Sequence, residues 1–234
     1  MTGFFITGTD TGIGKTFAAC ALIHALQRRG LTVAPMKPIA AGTIDVNGVS
    51  MNEDVALLMD ASAHRFAPHN VNPYCFNEAI APHIAAAHEN IGVDMSVIRT
   101  AFRELAGCAD VVLVEGAGGF LVPLSDRESM ALIPAALQLS VVLVVGMRLG
   151  CISHALLTAE AIQSRGLTLA GWIANTTGET MNAYADNLST LQRMMGASLL
   201  GELPRILANN ASEAARVAAS HLHTELLIPV TESK

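Results

Sequence analysis

The run Gly8-Thr9-Asp10-Thr11-Gly12-Ile13-Gly14-Lys15-Thr16 lies between an apolar stretch, Gly3 to Thr7, and a strongly helical one, Phe17 to Leu26. A glycine-rich segment ending in Gly-Lys-Thr, in the context strand–loop–helix, predicts a phosphate-binding loop. Its glycines let backbone N–H groups converge on an anion, and the following helix adds the positive end of its dipole. Lys15 is placed to bridge the outer phosphates of a nucleotide, and Thr16 to offer its hydroxyl to Mg²⁺. Nucleotide contacts are therefore expected from Gly12, Ile13, Gly14, Lys15, Thr16 and Phe17. The usual pattern has a glycine five residues before Gly14. Here that position is Thr9 and the glycine is Gly8, so the loop is one residue longer.

Further polar residues close apolar segments. Glu115 ends Asp110-Val111-Val112-Leu113-Val114, and an ionised carboxylate at such a position needs a partner. Mg²⁺ beside phosphates is the natural one. Gly116, Ala117 and Gly118 after it allow the backbone to approach a ligand. Asp54, next to Glu53, supplies another metal oxygen. Lys37 follows the short strand Leu31 to Met36 and brings a second cation to the same crevice, which suits phosphoryl transfer, where positioning and charge stabilisation carry most of the catalysis. Taken singly, Lys37 also reads as a solvated strand-end lysine, Glu115 as a capped strand end, and Asn52-Glu53-Asp54 as an ordinary helix start.

These residues need a scaffold that gathers strand ends, and the sequence alternates strand and helix to its end. Helices are expected from Asn52 to Met59, Pro82 to His88, Asp94 to Ala106, about Ser153 to Arg165, and Asn182 to Met195. Further strands are expected at Val141 to Val145, Leu169 to Asn175 and Leu199 to Pro204. Residues 62–80, rich in Pro, Asn and His, read as a long surface connection. The uncharged stretch from Ser129 to Met147 approaches membrane-span length. Pro134, Gln138 and Ser140 interrupt it, and its β-branched second half predicts a buried helix followed by a buried strand. Without a low-complexity linker or repeat, the pattern predicts one α/β domain over residues 1–234, a mostly parallel sheet with helices on both faces and ligand sites at the carboxyl ends of its strands.

Composition narrows the class. The chain is 51% hydrophobic with only 4% aromatic residues, so aliphatic side chains build the core, as suits helices on a parallel sheet. A formal net charge of −6 and the lack of any Lys/Arg block argue against nucleic acid. The N-terminus has neither the basic start nor the apolar core of a signal peptide, so a cytoplasmic protein with no membrane association is expected. Cys20, Cys75, Cys108 and Cys151 show no paired spacing and read as reduced thiols. Cys151 follows Gly150 near a helix start, a position that can lower a thiol pKa, although a structural role is the stronger reading.

The residues Gly8 to Thr16, Lys37-Pro38-Ile39-Ala40-Ala41-Gly42, Ala81-Pro82-His83 and Val114-Glu115-Gly116-Ala117-Gly118-Gly119 resemble the dethiobiotin synthetases. Gly146 to Cys151, Asn175 and Gly201-Glu202-Leu203-Pro204 extend the resemblance over nearly the whole chain, and the lengthened phosphate loop is the form that this family uses. The resemblance implies a P-loop NTPase-like fold and closure of a ureido ring from 7,8-diaminononanoate, CO₂ and ATP with Mg²⁺, the penultimate step of biotin biosynthesis. It implies a carbamate that attacks the γ-phosphate, a carbamic–phosphoric anhydride, and ring closure by the second amine. It assigns Thr16, Asp54 and Glu115 to Mg²⁺, and Lys15 and Lys37 to phosphate and carbamate charge. Thr11 and Ala41 fall beside the substrate, and Ala41 stands where relatives often carry Ser. Asn175, Thr176 and the segment Pro204, Arg205 and Ile206 fall to the adenine. It also implies a homodimer, with the substrate carboxylate near Gly150 and Cys151 of the neighbouring subunit. Competing classes fit less well. A partition-type or septum-placing ATPase would carry an extra lysine where positions 8 to 10 are Gly-Thr-Asp, and a GTPase would want Asn-Lys-x-Asp where the chain has Asn175-Thr176-Thr177-Gly178. A cobyrinate-type amide synthetase would need a glutaminase domain that the chain is too short to hold.

Overall fold

Runs of Val, Ile and Leu too continuous for a half-exposed strand are the mark of a parallel sheet covered on both faces, and they build the centre of this structure. The computed structural model describes residues 2–46 and 48–229. Strand β1 (Thr2–Gly8) leads through the glycine-rich loop into α1 (Lys15–Gln27). Then follow β2 (Val33–Met36), β3 (Ile39–Ala41), β4 (Ile44–Val46), β5 (Val49–Met51), α2 (Glu53–Ala61), α3 (Pro68–Val71), β6 (Tyr74–Phe76), α4 (Pro82–His88) and α5 (Met95–Ala106). The second half is β7 (Val111–Gly119), α6 (Leu132–Leu137), β8 (Ser140–Gly146), α7 (Cys151–Gln163), β9 (Leu169–Asn175), α8 (Tyr184–Met194), β10 (Leu199–Leu203) and α9 (Ala211–Ala218).

Six strands form one sheet in the order β10-β9-β8-β1-β7-β2, and every pairing in it is parallel. Alternate residues of each strand serve opposite faces. Phe4 and Ile6 of β1, with Val142 and Val144 of β8, meet α1, α2 and α9, whereas Phe5, Val112, Val114 and Val141 meet α5 and α6. Leu143, Val145 and Trp172 continue that second face against α7 and α8. The expected α/β architecture with helices on both faces is therefore observed. Pro35 is tolerated within β2 because β2 is an edge strand, where a missing N–H leaves no ladder bond unmade. The chain leaves β1 toward β2 on one side, while β8, β9 and β10 extend the sheet on the other. The carboxyl end of β1 thus faces the crevice where the strand order reverses.

Residues 62–80 depart from their sequence reading. They contain α3 and β6, and β6 pairs in parallel with β3 to make a small second sheet. Val71 and Phe76 are fully buried. Three-residue strands and a single helical turn carry too little periodicity to be legible, and the Pro and Asn residues that bound them read as loop. The hairpin β4–β5 was likewise not foreseen. The stretch from Ser129 to Met147 divides into α6 and β8 as expected, and no helix among the described residues is long and apolar enough to cross a membrane.

Candidate functional site

The glycine-rich loop closes over the carboxyl end of β1. Gly14 caps α1 at φ +79°, in the left-handed region, and a Cβ there would lie 2.2 Å from Asn175 Nδ2. Only glycine fits the turn. The Asn175 amide donates to the Ile13 carbonyl at 2.7 Å, so the end of β9 clips the loop in place. Lys15 is buried, and its ammonium donates to the Asp10 carbonyl at 2.9 Å. Burial pushes its pKa below the usual lysine value and Lys37 adds to that, with Glu115 opposing. Asp10 is bound to Arg148, which joins the loop to the turn before α7, and accepts from the Thr11 amide at 2.7 Å. The Thr11 amide and Arg148 hold the Asp10 carboxyl below the usual range. Gly118, at φ +64°, brings the backbone after Glu115 against this loop, where its Cβ would meet Val122 at 2.7 Å and the Thr11 hydroxyl at 3.5 Å.

Four side chains from separate elements converge beside Lys15. The Lys37 ammonium lies 2.6 Å from Glu115 Oε1 and 2.9 Å from Asp54 Oδ2. The Thr16 hydroxyl donates to the same Glu115 oxygen at 2.9 Å. Lys37 is 4% exposed and Glu115 1%, so this pair is shielded from water, whereas the Asp54 side chain is 42% exposed. Burial works against the Lys37 charge, but Glu115 and then Asp54 outweigh it, and its pKa is raised. For Asp54, burial favours the neutral acid, but Lys37 outweighs it and the pKa is lowered. Thus the expected residues Thr16, Lys37, Asp54 and Glu115 do come together, and the readings of Lys37 and Glu115 as solvated strand ends are excluded by their burial.

The cluster fits a divalent cation. Its donors are a hydroxyl and two carboxylates, the hard oxygen set that Mg²⁺ takes alongside phosphate and water. Glu115 Oε2 is buried without a hydrogen-bond partner, an acceptor left for such an ion. Among the described residues no group of three or more His, Cys, Asp and Glu forms a metal site. Lys37 supplies the positive charge between the two carboxylates.

The other expected residues are more dispersed. Thr176, Pro204 and Arg205 line a cleft of roughly 400 Å³ with Thr180, Tyr184, Glu202 and His221. Asn175 is buried behind this cleft, with Oδ1 unpartnered. Ile206 packs on the core facing α1. Ile13 is buried and Phe17 half-buried at the start of α1, while Gly116 faces the Phe5 ring, where a Cβ would come within 2.7 Å. Ala117 is partly buried against the same core. Ala41 ends β3, and Gly150 caps α7 next to the almost fully exposed Leu149. Cys151 corrects the idea of a lowered thiol pKa. It is buried, and that burial pushes the thiol up despite its place at a helix start. All four cysteines are free.

Sequence reasoning missed two asparagines. Asn72 Nδ2 donates to the Lys37 carbonyl at 2.6 Å and to the Tyr74 carbonyl at 2.9 Å. Asn52 Nδ2 donates to the carbonyls of Gly42 at 2.7 Å and Ala41 at 3.2 Å. The only signals were an Asn before Pro73 and an Asn in helix-cap position before Glu53-Asp54.

Comparison with known proteins gives consistent results. Residues 2–212 match the family described as "AAA domain". The chain is 52% identical over 217 residues to the ATP-dependent dethiobiotin synthetase BioD of Aromatoleum aromaticum, covering 93% of this chain and 95% of that protein. It is 51% identical over 202 residues to the ATP-dependent dethiobiotin synthetase BioD of Nitrosospira multiformis, covering 86% and 88%. Among solved structures, the MinC:MinD cell division protein complex of Aquifex aeolicus superposes with TM-score 0.58 at 15% identity, covering 100% of this chain and 99% of that one. MinD of Pyrococcus horikoshii with Mg-ADP gives TM-score 0.51 at 16% identity, covering 98% and 90%. At that identity the structural likeness speaks for the fold alone.

Proposed function

This chain belongs to the ATP-dependent dethiobiotin synthetases, within the AAA-domain family, and from that premise we propose how its residues close the ureido ring. It is an ATP-dependent cyclo-ligase that makes dethiobiotin in biotin biosynthesis. The substrates are 7,8-diaminononanoate and CO₂, one amine being carried as its carbamate. That carbamate oxygen attacks the γ-phosphate, ADP leaves, and the second amine displaces phosphate from the carbamic–phosphoric anhydride.

Attack by so weak a nucleophile calls for alignment and charge neutralisation. Lys15 and the backbone of Gly12 to Thr16 receive the phosphates, and Gly116 to Gly118 form the opposite wall. Thr16, Asp54 and Glu115 would hold Mg²⁺, which would offset phosphate charge. Lys37 would serve the carbamate and γ-phosphate oxygens with its positive charge. Thr11 and Ala41 face the carbamate region. Asn175, Thr176, Pro204, Arg205 and Ile206 border the base. Residues 1–234 act as one domain in the cytoplasm, and two copies pair so that Gly150 and Cys151 of one receive the substrate carboxylate of the other.

The observation that carries this reading is the buried contact of Lys37 with both Asp54 and Glu115, beside Lys15 and Thr16. The test is ADP release in a coupled assay with the diamine and bicarbonate each omitted in turn. Release should require both, and equal release without diamine would replace the synthetase reading by that of a free-standing ATPase.

A further inference from the structure

We propose that Asn52 is a positioning residue that sets the metal-side carboxylate Asp54 and the substrate-side strand end Ala41–Gly42 relative to one another; the inference rests on the site reading above. Asn52 is 8% exposed and precedes α2 with extended backbone, φ −77° and ψ 141°. Its Oδ1 accepts from the Asp54 amide at 3.1 Å, the bond of a helix N-cap. Its Nδ2 uses both protons elsewhere, on the carbonyls of Gly42 and Ala41. One planar amide therefore ties the start of the helix that carries Asp54 to the end of the strand that carries Ala41.

The tie matters because β3 stands outside the main sheet. Among the described residues its strand partner is β6, itself three residues long, so the six-stranded ladder does not fix its position. The other end of the same segment is held in the same manner. The Lys37 amide donates to the Val71 carbonyl at 2.8 Å, and Asn72 holds the Lys37 carbonyl. Asparagine amides thus clamp the Lys37–Gly42 segment at both ends, and Asn52 alone of the two also reaches Asp54. Displacing Asn52 shifts the strand end against the metal ligands, and near-attack geometry tolerates little of that.

Asn52→Ser separates the two bonds, because serine remains a good N-cap but has only one proton for the two carbonyls. Asn52→Ala removes both. In the full-length enzyme, dethiobiotin formation is measured against diamine at saturating ATP and Mg²⁺. Mn²⁺ binding is measured by electron paramagnetic resonance with a non-hydrolysable ATP analogue. Asn52→Ser should raise the diamine KM by about tenfold, the size expected when a buried hydrogen bond is left unmade, with Mn²⁺ affinity within about twofold of wild type. Asn52→Ala should weaken both. If either variant only lowers the melting temperature and leaves KM and Mn²⁺ affinity unchanged, Asn52 is a plain helix cap and the proposal fails. Asp54→Asn is the control. If it leaves wild-type Mn²⁺ binding intact, the metal-site reading itself is wrong and the proposal falls with it.

Discussion

Replacing Lys37 by Met keeps the aliphatic stem and removes only the charge between Asp54 and Glu115. Glu115 is then a carboxylate 1% exposed whose remaining bond on Oε1 comes from Thr16 and whose Oε2 has none. Breaking one partner out of a buried ion pair costs about 3–5 kcal/mol, because the surviving charge is left uncompensated. The Asp54 side chain is 42% exposed, so solvent screens its share and little is added. In EDTA at neutral pH the variant should therefore lose roughly 3–5 kcal/mol, a large part of the 5–15 kcal/mol typical of a domain. The pH window follows from the two shifts. The raised Lys37 contributes stability that is complete below the ordinary lysine value of 10.5 and is lost as pH rises through its higher folded value. The lowered Asp54 contributes stability that is present above 3.8 and is lost as pH falls through its lower folded value. Between about pH 5 and 9 the difference between the chains should be flat. Mg²⁺ should reverse the loss, by about 2.7 kcal/mol at a hundred times its dissociation constant, and should stabilise wild type far less, because there Lys37 already occupies the place. The assay is urea denaturation of both chains in EDTA and in Mg²⁺. A loss below about 1 kcal/mol, or equal stabilisation of both chains by Mg²⁺, would refute the reasoning.

Two other outcomes follow from particular contacts. Gly14→Ala forces a Cβ into a position 2.2 Å from Asn175 Nδ2 at φ +79°. It should cost about 2 kcal/mol or more of stability in denaturant titration, with ADP binding by calorimetry lost as the loop shifts, and a variant that binds ADP normally would contradict the clip between β9 and the loop. The Tyr184 phenol, pushed up to about 12 by burial and by Glu202, donates to Glu202 at 3.1 Å. The folded chain keeps this proton after the unfolded chain has lost it, so stability falls between pH 10 and 12. The wild-type minus Tyr184→Phe tyrosinate absorbance should appear only near the top of that range.

Much of this arrangement was legible in residue order. Gly-Lys-Thr after an apolar segment has few other structural meanings, and continuous β-branched runs announce a buried parallel strand. Glu115 could be singled out because a carboxylate closing such a strand must find a partner. The short pieces between Lys37 and Ala81 were not legible. There β3, β6 and α3 are each too short to show a period, and their stability comes from pairing with one another and from Val71 and Phe76 in the core. Asn52 looks like an ordinary helix start and Asn72 like an ordinary loop asparagine until the carbonyls they hold are brought to them.

By itself the sequence determined the chemistry available: a phosphate loop, two lysines, two carboxylates and a hydroxyl, set at the ends of strands and the starts of helices. Local pattern carries that information, because propensity, loop chemistry and the charge of a side chain belong to residues near one another in the chain. Which of these groups meet was decided only by the tertiary structure. Thr16 and Glu115 are separated by 99 positions, and Lys37 and Glu115 by 78, yet each pair is in contact. Those contacts depend on the strand order β8-β1-β7-β2, which places the ends of β1, β2 and β7 together, and on the small β3–β6 sheet that holds Lys37 where burial makes its charge count. Dielectric environment is a property of the packed molecule, and it makes an ordinary lysine and an ordinary glutamate into a shielded ion pair.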